Sequence, residues 1–140
     1  MNWRLIFPLV LTGLMTTLPA TSYADSPWHT GSAGYQTVLA EQKKTGDLIL
    51  LYFYATWCPH CQAFEKTVLY TPEVEGALSG VHKVKIDVNR EQALAATFGV
   101  TSFPRVYVWE PRSHKNIRLN TGTGPEDFLK EARKSGLKVR

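Results

Sequence analysis

A strongly apolar run followed at once by a pair of cysteines constrains the fold more than any other feature of this chain. Residues 48–55 read LILLYFYA, and the chain's only two cysteines follow in residues 57–61, WCPHC. Continuous apolar residues, rather than alternating ones, predict a strand that is buried on both faces. Residues 58–69 then place Cys61, Phe64 and Val68 on one helical stripe. The cysteine pair therefore lies where a central strand gives way to the N-terminus of a helix.

This position indicates thiol–disulfide exchange. First-turn N–H groups have no partner within the helix and the helix dipole is positive there, so a thiolate at Cys58 is favoured. We expect Cys58 to be the nucleophile and Cys61, on the next turn, to resolve the mixed disulfide. A purely structural bridge is the alternative. It would close so small a loop that it would remove little entropy from the unfolded chain.

Three residues beside the cysteines have predicted roles in the same site. His60, when protonated, stabilises the Cys58 thiolate and makes the disulfide more oxidising. Pro59 lacks an N–H and sets the first helical turn. Trp57 is expected to contact substrate at the rim of the site. The catalytic group predicted from the pentapeptide is therefore Cys58, Cys61, His60 and Pro59.

The N-terminus has the order of a secretory signal peptide. Arg4 is its one charge, an uncharged stretch follows, and small residues at 22 and 24 precede Asp25. The apolar stretch is shorter than the roughly 18 residues expected of a spanning helix. We therefore predict a signal peptide at residues 1–24, no stable membrane insertion after its cleavage, and a periplasmic or otherwise extracytoplasmic location.

The remainder of the chain is long enough for one domain. Residues 25–34 contain one proline and two glycines and are interpreted as a flexible lead-in. Residues 35–140 alternate helical and strand patterns in the order α, β, α, α, β, α, loop, β, β, α. A strand–helix–strand crossover followed by a hairpin predicts an α/β fold with a central mixed sheet and helices on both faces.

These patterns resemble the thioredoxin superfamily. The resemblance is carried by residues 54–61, 84–88 and 98–104, and by Gly122 before the last helix. Within the superfamily, residues 57–65 with 71–74 are most similar to the C-terminal domain of DsbD-type interchange proteins. The CPHC motif instead resembles DsbA-type oxidases. The motif favours an oxidase or isomerase, and a reductase stays open.

The resemblance also implies the surroundings of the cysteines. It implies a cis peptide between Phe103 and Pro104 that lies against the pair and pairs with an extended substrate segment. It implies a tuning role for Glu65, which is four residues after Cys61 and is the candidate for proton transfer. Tyr52 stands where many members carry a buried aspartate. That departure leaves Glu65, or water, as the base.

A copper(I) carrier is the alternative from another class. Cys58, Cys61 and His60 are soft ligands suited to copper(I), and His82 or His114 could supply a fourth. Structural zinc would need a second paired motif, which the sequence lacks.

Other cofactors and partners are predicted by elimination. Gln62 follows the second cysteine, where c-type haem attachment requires histidine. No NAD or flavin motif is present either, so we expect no cofactor or metal. Electrons must therefore pass to or from a redox partner protein. The formal net charge of +4 is not accompanied by an aromatic and basic array that would suggest nucleic acid. Protein thiols and disulfides are the expected substrates.

Overall fold

The computed structural model describes residues 27–140. The predicted signal peptide, residues 1–24, lies outside the described residues. Within residues 27–140, no helix combines the length and the apolar character that crossing a membrane requires.

A five-stranded mixed sheet forms the centre of the fold, with strand order β1-β3-β2-β4-β5. β2 is parallel to β3, which is parallel to β1, whereas β4 is antiparallel to β2 and β5 to β4. Every residue of β2 except the last is buried, as its continuous apolar run predicts. The strands are β1 (His29–Thr30), β2 (Ile49–Tyr54), β3 (His82–Asp87), β4 (Arg105–Glu110) and β5 (Lys115–Leu119).

Helices cover both faces of this sheet, which confirms the predicted architecture. Side chains of α1 and α4 pack on the face that includes Leu51 and Phe53. Side chains of α2, α3 and α5 pack on the opposite face, which includes Leu50 and Tyr52. The helices are α1 (Gly31–Thr45), α2 (Pro59–Phe64), α3 (Pro72–Ala77), α4 (Gln92–Thr97) and α5 (Pro125–Lys134). α2 continues directly into a π-helical segment, Glu65–Leu69.

The domain begins earlier than predicted, so the interpretation of residues 25–34 as a lead-in outside the domain is wrong for residues 29–34. His29 pairs with Val84 as part of β1, and α1 already starts at Gly31. The turn between them needs glycine, because Gly31 has φ +64° and a Cβ on Gly34 would lie 2.9 Å from the Cβ of His29. Glycines that suggest a loop in the sequence are here the residues that let a strand turn tightly into a helix.

Candidate active site

Cys58 lies just beyond β2 and is the N-cap residue of α2. Its Sγ accepts a hydrogen bond from the backbone N–H of Cys61 at 3.1 Å. This bond satisfies one of the donors that a helix N-terminus leaves without a partner. Cys58 is only 4% exposed and Cys61 only 1% exposed, and the two are free thiols. Both sulfurs therefore lie below the surface, with Cys58 on the more open side.

The loop before β4 closes over Cys58. The Phe103–Pro104 peptide bond is cis, as the family resemblance implies. The Cys58 thiol donates to the carbonyl oxygen of Phe103 across 3.9 Å. Trp57, which is 64% exposed, packs edge-on against the Phe103 ring with the ring centroids 5.6 Å apart. The structure thus brings together the three residues predicted to bind substrate, and they border Cys58.

A groove of about 450 Å³ runs beside this loop along α2. His60 is exposed and lines one side of it, so the histidine lies at the groove and not in the protein interior. Pro59 is exposed at the first turn of α2. The other lining residues include Phe64, Phe103, Pro104, Arg118 and Gly122.

Two buried titratable side chains, Cys61 and Tyr52, lie on the interior side of the site. The Tyr52 hydroxyl donates a hydrogen bond to Oε1 of Glu65 at 3.1 Å. Burial, together with a hydrogen bond to Cys58, raises the pKa of the Cys61 thiol. Burial and then the nearby Glu65 charge raise the pKa of Tyr52 well above its usual range. Both groups therefore carry their protons at neutral pH.

An aromatic cluster holds Tyr52 in place. Its ring stacks on Tyr54 with centroids 5.5 Å apart, and it meets Trp28 edge-on at 6.3 Å. Trp28 also packs on Tyr70, whose hydroxyl accepts a hydrogen bond from Lys85 Nζ at 2.6 Å. Sequence reasoning missed this cluster and treated Tyr52 only as a lost carboxylate. Tyr52 and Tyr54 are two residues apart on a predicted strand, so their side chains lie on the same face. This spacing is the signal that could have indicated the aromatic cluster.

The copper(I) alternative is not supported, because the two further histidines lie at the other end of the sheet. His82 is opposite Ile49, at the start of β2, whereas Cys58 follows the end of that strand. His114 packs on Trp109, and Trp109 pairs with Ile49, so His114 lies at the same end of the sheet as His82. Across residues 27–140, no three side chains of His, Cys, Asp or Glu come together in a way that could hold a metal ion.

The sequence pattern of the family described as Thioredoxin matches residues 27–134. The chain belongs to the thioredoxin family. The match begins before β1, in agreement with a domain that includes Trp28 and the first strand.

Two relatives each match more than two thirds of this chain. The thiol:disulfide interchange protein DsbD of Vibrio cholerae is 32% identical over 108 residues, covering 73% of this chain and 18% of DsbD. The protein disulfide-isomerase MPD1 of Saccharomyces cerevisiae is 28% identical over 98 residues, covering 70% of this chain and 31% of MPD1. This chain therefore spans less than a third of the length of either relative.

A solved structure shows the same fold over the whole of an isolated domain. The C-terminal domain of Neisseria meningitidis DsbD, in its oxidised form, superimposes with a TM-score of 0.63 and is 23% identical. The superposition covers 77% of this chain and 98% of that domain. The shared fold therefore extends over nearly all of that isolated domain.

Proposed function

We propose that this protein is a thiol–disulfide oxidoreductase that exchanges disulfides with protein substrates through Cys58 and Cys61. The observation that carries the proposal is the Cys58 sulfur at the N-cap of α2, 3.1 Å from the N–H of Cys61 and beside the carbonyl of Phe103. A backbone N–H directed at this sulfur stabilises the thiolate, which is the reactive form in exchange. Family membership and the similarity to the thiol:disulfide interchange protein DsbD and the protein disulfide-isomerase MPD1 support the same chemistry.

The exchange proceeds in two displacements. The Cys58 thiolate attacks a substrate disulfide, a bond forms between the two sulfurs, and the other substrate sulfur leaves with the electron pair of the broken bond. Cys61 then attacks Cys58, which releases the second substrate sulfur and leaves a Cys58–Cys61 disulfide. The substrate gains two electrons and the cysteine pair loses two. The reverse sequence oxidises a substrate dithiol.

The rim around Cys58 suits an extended polypeptide substrate. Trp57 offers a large exposed apolar surface, and a groove lies beside Phe103 and Pro104. Backbone groups next to Pro104 could pair with a substrate strand in the manner of strand addition. We assign Trp57, Phe103 and Pro104 to substrate binding on this basis.

The direction we favour is oxidation or isomerisation. His60 is exposed at the first turn of α2, where a protonated imidazole would stabilise a thiolate and so destabilise the disulfide relative to the dithiol. We further propose export through residues 1–24 and a separate redox partner protein for electron supply or removal. A reductase that draws on such a partner is the opposite outcome.

Catalysed exchange with a protein substrate tests the proposal. The purified protein, in its oxidised form, is mixed with a reduced unfolded protein that needs disulfides, and formation of native disulfides is followed by activity recovery. We expect faster recovery than with the Cys58→Ser variant. Equal rates for the two proteins would contradict the proposal, and stoichiometric tight binding of copper(I) without exchange would restore the metal-carrier alternative.

A further inference from the structure

The groove beside the loop before β4 has cationic residues and no acidic one among those that line it. His60 of α2, when protonated, and Arg118 of β5 are the cationic residues. The other lining residues are apolar, hydroxyl-bearing or glycine, and within residues 27–140 no aspartate or glutamate lines the groove. A segment bound there would therefore meet positive charge that no neighbouring carboxylate in the groove offsets.

The acidic residues nearest in the chain to the groove do not line it. Glu65 directly follows the lining residue Phe64, but its Oε1 accepts the hydrogen bond of the buried Tyr52 at 3.1 Å. Glu126 and Asp127 come after the loop that follows β5, in the first turn of α5, where they complement the positive end of the helix dipole. Each of these carboxylates thus has a role elsewhere in the fold.

Arg118 is exposed, and its guanidinium has no partner among the described residues. Within residues 27–140, the side chain takes part in no ion pair and donates no hydrogen bond. A guanidinium presents a planar fork of donors that matches a carboxylate through two parallel hydrogen bonds. Arg118 is therefore available for a carboxylate that comes from another molecule.

Arg105 is the other arginine near this loop, and it differs from Arg118. Its Nε donates to the carbonyl oxygen of Ser102 at 3.5 Å, and its Nη2 donates to the Ser102 hydroxyl. These bonds tie Arg105 to the loop before β4, and of the two arginines only Arg118 lines the groove. The sequence alone does not distinguish them, whereas the structure commits one to the fold and leaves the other free.

The groove shares Phe103 with the surroundings of the reactive sulfur. Phe103 lines the groove, and its carbonyl oxygen accepts from the Cys58 thiol across 3.9 Å. An extended chain advances about 3.3 Å per residue. A polypeptide whose cysteine reacts with Cys58 can therefore place a residue only a few positions away in the groove.

We propose that Arg118 makes this protein prefer substrates that carry an aspartate or glutamate within a few residues of the reacting cysteine. The inference rests on the proposed function, because it names the substrate class of the same site. It also adds a specificity-determining residue. The residues assigned to substrate binding above, Trp57, Phe103 and Pro104, are apolar and do not distinguish an acidic side chain from a neutral one of the same shape.

Peptide disulfides of a chromogenic aryl thiol measure this preference. Each peptide has one cysteine, joined to the aryl thiol, and a glutamate, glutamine or lysine two positions before or after it. The Cys58 thiolate of the reduced protein attacks the peptide sulfur, and the coloured aryl thiolate leaves with the electron pair of the broken bond. Cys61 then attacks Cys58 and releases the peptide thiolate. Dividing each rate by that with dithiothreitol corrects for the effect of peptide charge on the disulfide itself.

For at least one of the two positions, we expect the glutamate peptide to react about three- to tenfold faster than the glutamine peptide. The lysine peptide should be the slowest, and the differences should shrink as the salt concentration is raised. In Arg118→Gln the glutamate-to-glutamine ratio should fall to within about twofold of one. Arg118→Lys should keep part of the preference, and Arg118→Glu should make the lysine peptide the fastest.

Arg112→Gln is the matched control, since it removes the same charge from a different exposed arginine. Arg112 follows β4 in the turn to β5, at the end of the sheet where β2 begins and away from the cysteines. This variant should keep the parental ratio of rates.

Three results would overturn the assignment of Arg118. They are equal rates of the parent with the glutamate and glutamine peptides at both positions, a preference that survives in Arg118→Gln, and an equal loss of preference in Arg112→Gln, which would make the net charge of the whole protein the cause. A parent protein no faster than Cys58→Ser with every peptide would instead contradict the proposed exchange itself.

Discussion

The two cysteines, three residues apart in sequence and both buried, have different neighbours. Cys58 belongs to an outer half of the site, together with Trp57, His60, Phe103 and Pro104, that borders solvent and the groove. We group Cys61 with the buried Tyr52 and its hydrogen-bond partner Glu65 as an inner half of the site. In the proposed exchange, the outer half meets the substrate and the inner half holds the resolving thiol. The difference assigns separate roles to two chemically identical thiols.

The largest expected effect comes from removing either sulfur. Cys58→Ser should lower the exchange rate on the order of 10³-fold or more, because the attacking nucleophile is gone. Cys61→Ser keeps the attack but cannot resolve it, so a mixed disulfide with the substrate protein should accumulate. Non-reducing gel electrophoresis with and without reductant detects this adduct. Adducts formed by Cys58→Ser and absent from Cys61→Ser would reverse the assignment of the two halves.

Two tryptophans test the contrast in packing. Trp28 of the aromatic cluster contacts Tyr52 and Tyr70, so Trp28→Ala should cost about 2–3 kcal/mol of unfolding free energy. Trp57 is exposed, so Trp57→Ala should change stability by less than about 0.5 kcal/mol while raising the KM for a protein substrate. Urea denaturation and exchange kinetics measure the two effects. Equal stability losses in both variants would contradict the division into outer and inner halves.

The elements that local patterns describe were well predicted from the sequence. The continuous apolar run predicts the buried strand β2, and the helical stripe of Cys61, Phe64 and Val68 predicts the helix that begins just after Cys58. The cis peptide at Pro104 followed from the family resemblance. Each of these depends on residues close together in the chain or on a motif with a known setting.

Features that depend on tertiary placement could not be predicted in this way. β1 exists because His29 and Thr30 pair with β3, more than fifty positions later, and two residues carry too little pattern to reveal this. The Tyr52–Glu65 contact depends on how the π-helical segment aligns with β2. The sequence offers His82 and His114 as possible metal ligands, but the strand register places both at the end of the sheet away from the cysteines.

Reactivity of single thiols sharpens the comparison further. Because burial raises the pKa of Cys61, it remains a thiol at neutral pH. In Cys58→Ser, Cys61 should therefore be alkylated at least about tenfold more slowly than Cys58 is in Cys61→Ser.

The raised pKa of Cys61 also makes the stability of the protein depend on pH. The folded protein keeps the Cys61 proton at pH values where the unfolded chain, whose thiol pKa is about 8.5, loses it. This contribution to the free energy of unfolding is fully present below about pH 8.5 and is lost as the pH rises above it. Cys61→Ser should therefore lose less stability than the parent, under reducing conditions, between about pH 8 and about pH 11. Alkylation kinetics and urea denaturation across pH check both statements, and equal alkylation rates would contradict the first.

The smallest expected effect belongs to the histidine at the groove. Removing His60 should shift the reduction potential by about 30 mV to a more negative value, which corresponds to about tenfold in the equilibrium with glutathione. His114→Ala, at the far end of the sheet, is the matched control and should leave the potential unchanged. A shift of the same size in both variants would remove His60 from the outer half.

The equilibrium between the parent protein and glutathione redox buffers tests the central claim most directly. Rapid alkylation followed by mass measurement gives the fraction of Cys58–Cys61 disulfide at each buffer ratio. We predict a single two-electron transition nearer to the oxidising end of the family range, roughly −120 mV, than to the reducing end, roughly −270 mV. A potential at the reducing end would contradict the oxidase or isomerase assignment, and the absence of any Cys58–Cys61 disulfide would contradict the exchange reaction altogether.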